Sequence, residues 1–134
     1  MTAADRKQQQ AVIAHWREGA ERDWVVAQDN FQSGHYNWTL FLCHISIEKL
    51  LKALVVRAEQ TPPFTHDLAK LWKLTSLPLS AEYWRWLTEI ERFNIEGRYD
   101  DEKQSFYLKA TKAYTELWLA RCTEVFQWLE KQFD

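Results

Sequence analysis

The stretch from Tyr36 to Glu59 is apolar on two opposite sides, which most restricts the folds open to this chain. At about 100° per residue of helix, Tyr36, Leu40, Cys43, Ile47, Leu50, Leu51 and Leu54 fall on one side. Trp38, Phe41, Ile45 and Val56 fall roughly opposite. A helix that is greasy on two flanks is buried on two flanks. One flank can pack inside a bundle, and the other needs a further helix or a second subunit. Between the flanks run His44, Glu48 and Lys52, each four residues apart. Three ionisable groups are thus wedged against hydrophobic surface, where charge states shift and ligands can be held.

The rest of the chain supplies helices to surround that segment. A first helix is expected from about Asp5 to Gln32, with Ile13, Trp16, Ala20, Trp24, Ala27 and Phe31 on one face. Ser33-Gly34 stops it, since glycine accepts the left-handed conformation just past a helix end. Gln60-Thr61-Pro62-Pro63 breaks the second helix. Thr65 is a good N-cap for a short third helix, His66 to Leu74, with Asp67 in its first turn. Ser80 can cap a fourth, in which Tyr83, Trp84, Leu87, Ile90 and Phe93 are spaced as a buried face, and Gly97 ends that segment. Asp100 or Asp101 opens a last helix running through Phe106, Ala110, Ala113, Leu117 and Ala120 towards Leu129. The expectation is an all-α, antiparallel up-and-down bundle of four to five helices, forming a single domain over residues 1–134.

Only three Gly and three Pro occur, far too few for a turn-rich β-sandwich. A formal net charge of −2 argues against a protein held to nucleic acid by phosphate contacts alone. Cys43 and Cys122 show no CxxC spacing and read as buried reduced thiols, which fits a reducing compartment. The first ten residues are polar, unlike a signal peptide. No run approaches the roughly 18–20 apolar residues that span a bilayer. A cytoplasmic location with no membrane partner is therefore expected. Eight tryptophans are unusual. Trp16, Trp24, Trp84, Trp118 and Trp128 read as core, whereas Trp38, on the second flank with Phe41 and Ile45, reads as an interface residue.

Four segments in order resemble the HEPN domain family. The strongest is Phe41-Leu42-Cys43-His44-Ile45-Ser46-Ile47-Glu48-Lys49-Leu50-Leu51-Lys52-Ala53-Leu54, similar to the family's F-x-x-H/Q-x-x-x-E-K-x-x-K-A-L pattern. Ala20-x-x-Asp23-x-x-x-Ala27 with Gly34-x-Tyr36 precedes it, and Pro63-x-Thr65-His66-Asp67-Leu68-x-x-Leu71 and Arg98-Tyr99-Asp100 follow. The resemblance covers about Ala20 to Leu117. It implies a dimeric helical bundle of the prokaryotic kind that often accompanies a minimal nucleotidyltransferase, in a toxin–antitoxin or related two-component pair. Position by position it marks His44, Glu48, Lys49, Lys52, His66, Arg98 and Tyr99. Trp38 and Asp100 depart from the pattern. The ribonuclease branch of the family carries an Arg followed, after four to six intervening residues, by a His. No Arg here meets that spacing; Arg57 precedes His66 by eight intervening residues.

His44, Glu48, Lys52, His66, Arg98 and Tyr99 are accordingly the expected ligand-binding set, for a nucleotide or RNA. Arg98 and Lys52 suit phosphate, Tyr36 or Tyr99 suits a base, and Arg98 is also placed to tie the last loop to Glu48. No Gly-rich phosphate loop is present, and no resident cofactor is expected. His44 and Glu48 share a helix face, but no third ligand stands at a recognisable spacing, so no metal is expected. The leading function is a binding module, a homodimer engaging a nucleotide, a nucleotidyltransferase partner or both. The alternative is an atypical metal-independent ribonuclease toxin, with His44 or His66 as general acid/base and Arg98 or Lys52 stabilising phosphorane charge.

Overall fold

A computed structural model describes all residues, Met1 to Asp134. Six α-helices and one short 3-10 turn make an all-α bundle without strands: α1 (Ala3–Gln32), α2 (Tyr36–Arg57), α3 (Leu68–Leu74), α4 (Ala81–Ile90), the 3-10 turn (Glu91–Phe93), α5 (Asp100–Lys109) and α6 (Lys112–Lys131). No helix is long and apolar enough to cross a membrane.

Helix α1 begins two residues earlier than the periodicity indicates, because Thr2 caps it. The Thr2 hydroxyl accepts from the Asp5 N–H at 3.1 Å, and the Asp5 carboxylate accepts from the Thr2 N–H at 3.0 Å. This reciprocal pair satisfies two of the donors that every helix start leaves unpaired. Gly34, at φ +79°, turns the chain into α2, and the two helices lie against each other along their length. Helix α2 ends where Glu59 takes the left-handed conformation, φ +62°. The Gln60 and Glu59 N–H groups then donate back to the Val55 and Val56 carbonyls, closing the last turn.

Helix α2 is the axis of the molecule and touches every other helix. Its first flank is the core: Leu40, Cys43, Ile47, Leu50 and Leu51 are fully buried, joined by Trp72, Phe93 and Leu129. Each large apolar side chain among them contributes about 1.5–3 kcal/mol by leaving water. Tryptophans fill the spaces between helices. Trp24 of α1 stacks on Phe126 of α6 at 4.4 Å, and Trp72 of α3 on Trp128 of α6 at 5.4 Å.

Three local expectations need correction. Trp84 is 45% exposed, while Leu87, Ile90 and Phe93 are buried as the spacing indicates. Tyr83 and Trp84 are adjacent and cannot share a face, and it is Tyr83 that packs edge-on against Trp72. Trp84 instead lies under the Lys73 ammonium, 5.8 Å from its ring centre. The α4 segment also ends at Ile90 and Phe93 rather than at Gly97, because Asn94 turns extended and its side chain accepts from the Glu96 N–H.

The third correction concerns the last helix, which is two helices broken at Ala110. There Thr111 caps α6 by accepting from the Tyr114 N–H at 3.2 Å. The break resets the helical phase. Ala113, Leu117 and Ala120 therefore face solvent, and Thr115, Trp118, Cys122, Val125, Phe126 and Leu129 face the core. Thr111→Ala tests this directly. Removal of a cap costs about 1 kcal/mol, whereas in a continuous helix the same change would gain about 0.5 kcal/mol. Denaturant unfolding gives the sign.

Both cysteines are buried and reduced. Burial, with Cys43 beside it, pushes the Cys122 thiol well up.

Candidate functional site

The charged strip of α2 is enclosed as its placement between two apolar flanks requires. His44 is fully buried, Glu48 is 5% exposed and Lys52 8%. Three cationic or polar partners converge on the one carboxylate. Glu48 Oε1 lies 3.3 Å from His44 Nε2 and 2.7 Å from His66 Nδ1, and Oε2 accepts from Lys52 Nζ at 3.2 Å. Burial alone would raise the Glu48 pKa. The hydrogen bonds from His44 and His66, with the Lys52 charge, outweigh it and hold the carboxyl down at about 2. Glu48 is therefore an anion at neutral pH.

Each neighbour is positioned by a different part of the chain. His44 Nδ1 lies 3.1 Å from the Ile90 carbonyl oxygen, at the end of α4, so the ring is pinned from both sides. The Lys52 ammonium lies 5.1 Å from the centre of the Trp16 ring on α1, which shelters it. His66 arrives from the loop after Pro62-Pro63, 18 residues beyond Glu48. Its freedom to reach inward comes from the true start of α3. The cap is Asp67, accepting from the Lys70 N–H at 3.1 Å, and Thr65 instead accepts from the Asp67 N–H at 3.1 Å. His66 is thus a loop residue rather than the first residue of a helix. Glu91 steadies the same loop by accepting from the Leu68 N–H at 2.9 Å.

The expected ligand-binding set therefore splits. His44, Glu48, Lys52 and His66 form one connected group. Arg98 and Tyr99 do not join it: no hydrogen bond or ion pair links Arg98 to Glu48 or His44, so the expected tie to the last loop is absent. Arg98 lines a separate cavity of about 250 Å³ with Arg92, Glu102 and Lys109, and Tyr99 is 79% exposed ahead of α5. Lys49 also has another role, bonding Asp23 of α1 at 2.6 Å and so fastening α1 to α2.

One residue at the site has no counterpart among the sequence expectations. Phe64 is 98% exposed, the most exposed large apolar side chain in the protein, and its ring centre is 6.3 Å from that of His66. The signal was an aromatic residue between a Pro-Pro break and a helix cap, where nothing in the same segment can cover it. On the second flank of α2, Trp38 is half exposed and meets Phe41 edge-on at 5.9 Å, while Phe41, Ile45 and Val56 are partly covered.

Comparison with known proteins agrees with this architecture. The sequence model of the HEPN domain matches residues 13–132, nearly the whole chain. The crystal structure of TT1696 from Thermus thermophilus superposes with a TM-score of 0.73 at 21% identity, covering 89% of this chain and 96% of that one. At that identity the likeness speaks for the fold alone. No curated protein matches the chain.

Proposed function

This chain belongs to the HEPN domain family, and on that premise we propose that it is a binding module, a homodimer that holds a nucleotide at the mouth of the α2 seam. A nucleotidyltransferase-like partner, in a toxin–antitoxin-like or related two-component system, is the protein such a module would serve. The observation that carries the reading is Phe64. A fully exposed aromatic ring beside the half-exposed His66, above a buried charge network, supports stacking of a planar base next to a group that can donate to phosphate. Trp38 supports the dimer, since a half-exposed tryptophan on an apolar flank is the kind of anchor that interfaces use.

The ribonuclease alternative finds less support. His44 is fully buried, its ring held between the Ile90 carbonyl and Glu48, and Arg98 belongs to a different cavity. A general acid/base must reach the proton it moves.

Calorimetric titration with ATP and GTP, beside sedimentation of the same sample, tests the proposal. The expected result is a dimer that binds at least one of them, with Phe64→Ala weakening binding by the roughly 1–3 kcal/mol of one stacked base. Trp38→Glu should shift the sedimenting species to monomer. A monomer with no affinity for either nucleotide would overturn the reading.

A further inference from the structure

The hydrogen-bond chemistry around His44 leaves an inconsistency that a cation resolves. Its Nδ1 faces the Ile90 carbonyl oxygen, which only accepts, so Nδ1 carries the ring hydrogen. Nε2 lies 3.3 Å from Glu48 Oε1, a second acceptor, and without a second ring proton it would present a lone pair there, so this contact is a bond only when a cation, a proton or a metal ion, stands between the two atoms. The same oxygen is 2.7 Å from His66 Nδ1. Three ligand-type atoms therefore face one another, all within 4.8 Å.

We propose that His44 Nε2, Glu48 Oε1 and His66 Nδ1 form a binding site for a divalent transition-metal ion of the zinc class, with the fourth position open at the mouth beside Phe64. Two imidazoles and a carboxylate are a set that zinc favours, whereas magnesium and calcium prefer oxygen ligands throughout. Tetrahedral ligands at about 2.0–2.1 Å from zinc stand ~3.4 Å apart. The His44–Glu48 separation of 3.3 Å already matches, and His66, on a loop and half exposed, opens from Glu48 to complete the set.

The surroundings are those of a supported site. A metal-bound histidine usually donates its other ring N–H to a carbonyl or carboxylate, as His44 does to Ile90. Lys52 occupies Glu48 Oε2 and leaves Oε1 as the single ligating oxygen. No third ligand stands at a recognisable spacing along α2, and the loop before α3 supplies one from 18 residues beyond Glu48. The proposal does not depend on nucleotide binding, and its test contains no nucleotide.

Chelator-stripped full-length protein is titrated with Zn²⁺ by calorimetry and with Co²⁺ by visible absorption, beside His66→Ala and His15→Ala. His15 is an exposed histidine on α1 outside the site. The expected result is one Zn²⁺ per chain, intense d–d bands of tetrahedral Co²⁺, and a loss of affinity for His66→Ala above the roughly 10–100-fold that removal of a mere supporting partner of a ligand costs, with no change for His15→Ala. Far-UV circular dichroism confirms that His66→Ala is folded. Absence of saturable binding, weak octahedral Co²⁺ bands, or equal affinity in wild type and His66→Ala would overturn the proposal and show that a proton alone bridges His44 and Glu48.

Discussion

Replacing Glu48 with alanine is expected to destabilise the protein by about 3–5 kcal/mol, the cost of breaking a buried ion pair from one side. The residue is 5% exposed and its two oxygens serve His44, His66 and Lys52 together. Without it the Lys52 ammonium is left buried against α1 with no counter-charge, and the buried His44 ring loses a polar partner. For a chain of this length the midpoint should fall by roughly 10–15 °C. The effect has a pH signature. A carboxyl held at about 2, against an ordinary 4.5, adds stability that is fully present above 4.5 and is lost as pH falls towards 2. The gap between wild type and Glu48→Ala should thus be widest near neutrality and narrow between those two values. The double variant Glu48→Ala/Lys52→Met should be less damaged than the sum of its parts, because it removes the stranded charge along with its partner. Thermal melts of the metal-free wild type, the two single variants and the double variant across that range measure all of this.

Trp72→Ala is expected to cost a similar amount, about 3–5 kcal/mol. Trp72 is 1% exposed, stacks on Trp128, and donates from its ring nitrogen to the Pro78 carbonyl at 3.2 Å. It matters more than an average core residue because α3 has only 7 residues, far below the length at which a helix holds itself together. Leu68, Leu71 and Trp72 anchor that helix, and the loop that delivers His66 hangs from its start. Amide exchange over α3 should therefore accelerate well beyond the global loss of stability. Trp84→Ala, on α4 and 45% exposed, should cost under about 1 kcal/mol. Equal losses for the two tryptophans would contradict the assignment of which ring faces the core.

Helix α2 was legible in the sequence because its pattern is redundant. Seven apolar residues define one flank, four the other, and the charged strip follows from the same 3.6-residue period. The Gly34 turn and the Ser80 cap are local signals of the same kind and stand where expected. The break before α6 was not legible, since Ala110-Thr111 contains neither Gly nor Pro and threonine is an ordinary helix residue. Only the cap bond from Tyr114 distinguishes it, and a helix drawn unbroken through that point turns Ala113, Leu117 and Ala120 inward.

The site was half legible. His44, Glu48 and Lys52 share a face by spacing alone. His66 reaches them through tertiary structure, by way of a loop whose path depends on Asp67 rather than Thr65 capping α3. Arg98 failed for the converse reason, that chemical suitability for a carboxylate carries no information about distance. The Ile90 carbonyl had no sequence signal at all, since any residue at the end of α4 would present one.

The ionised Glu48, gripped by three side chains, underlies the stability of the seam, and the proposed ligand sites are built around it. Carbon-13 NMR of the Glu48 side-chain carboxyl in metal-free protein, followed from pH 7 downwards, observes that group alone. A signal that keeps its carboxylate position through pH 4.5 and bends only near pH 2 is the predicted result. A midpoint at the ordinary glutamate value, with the chain still folded, would mean that His44, His66 and Lys52 do not grip it.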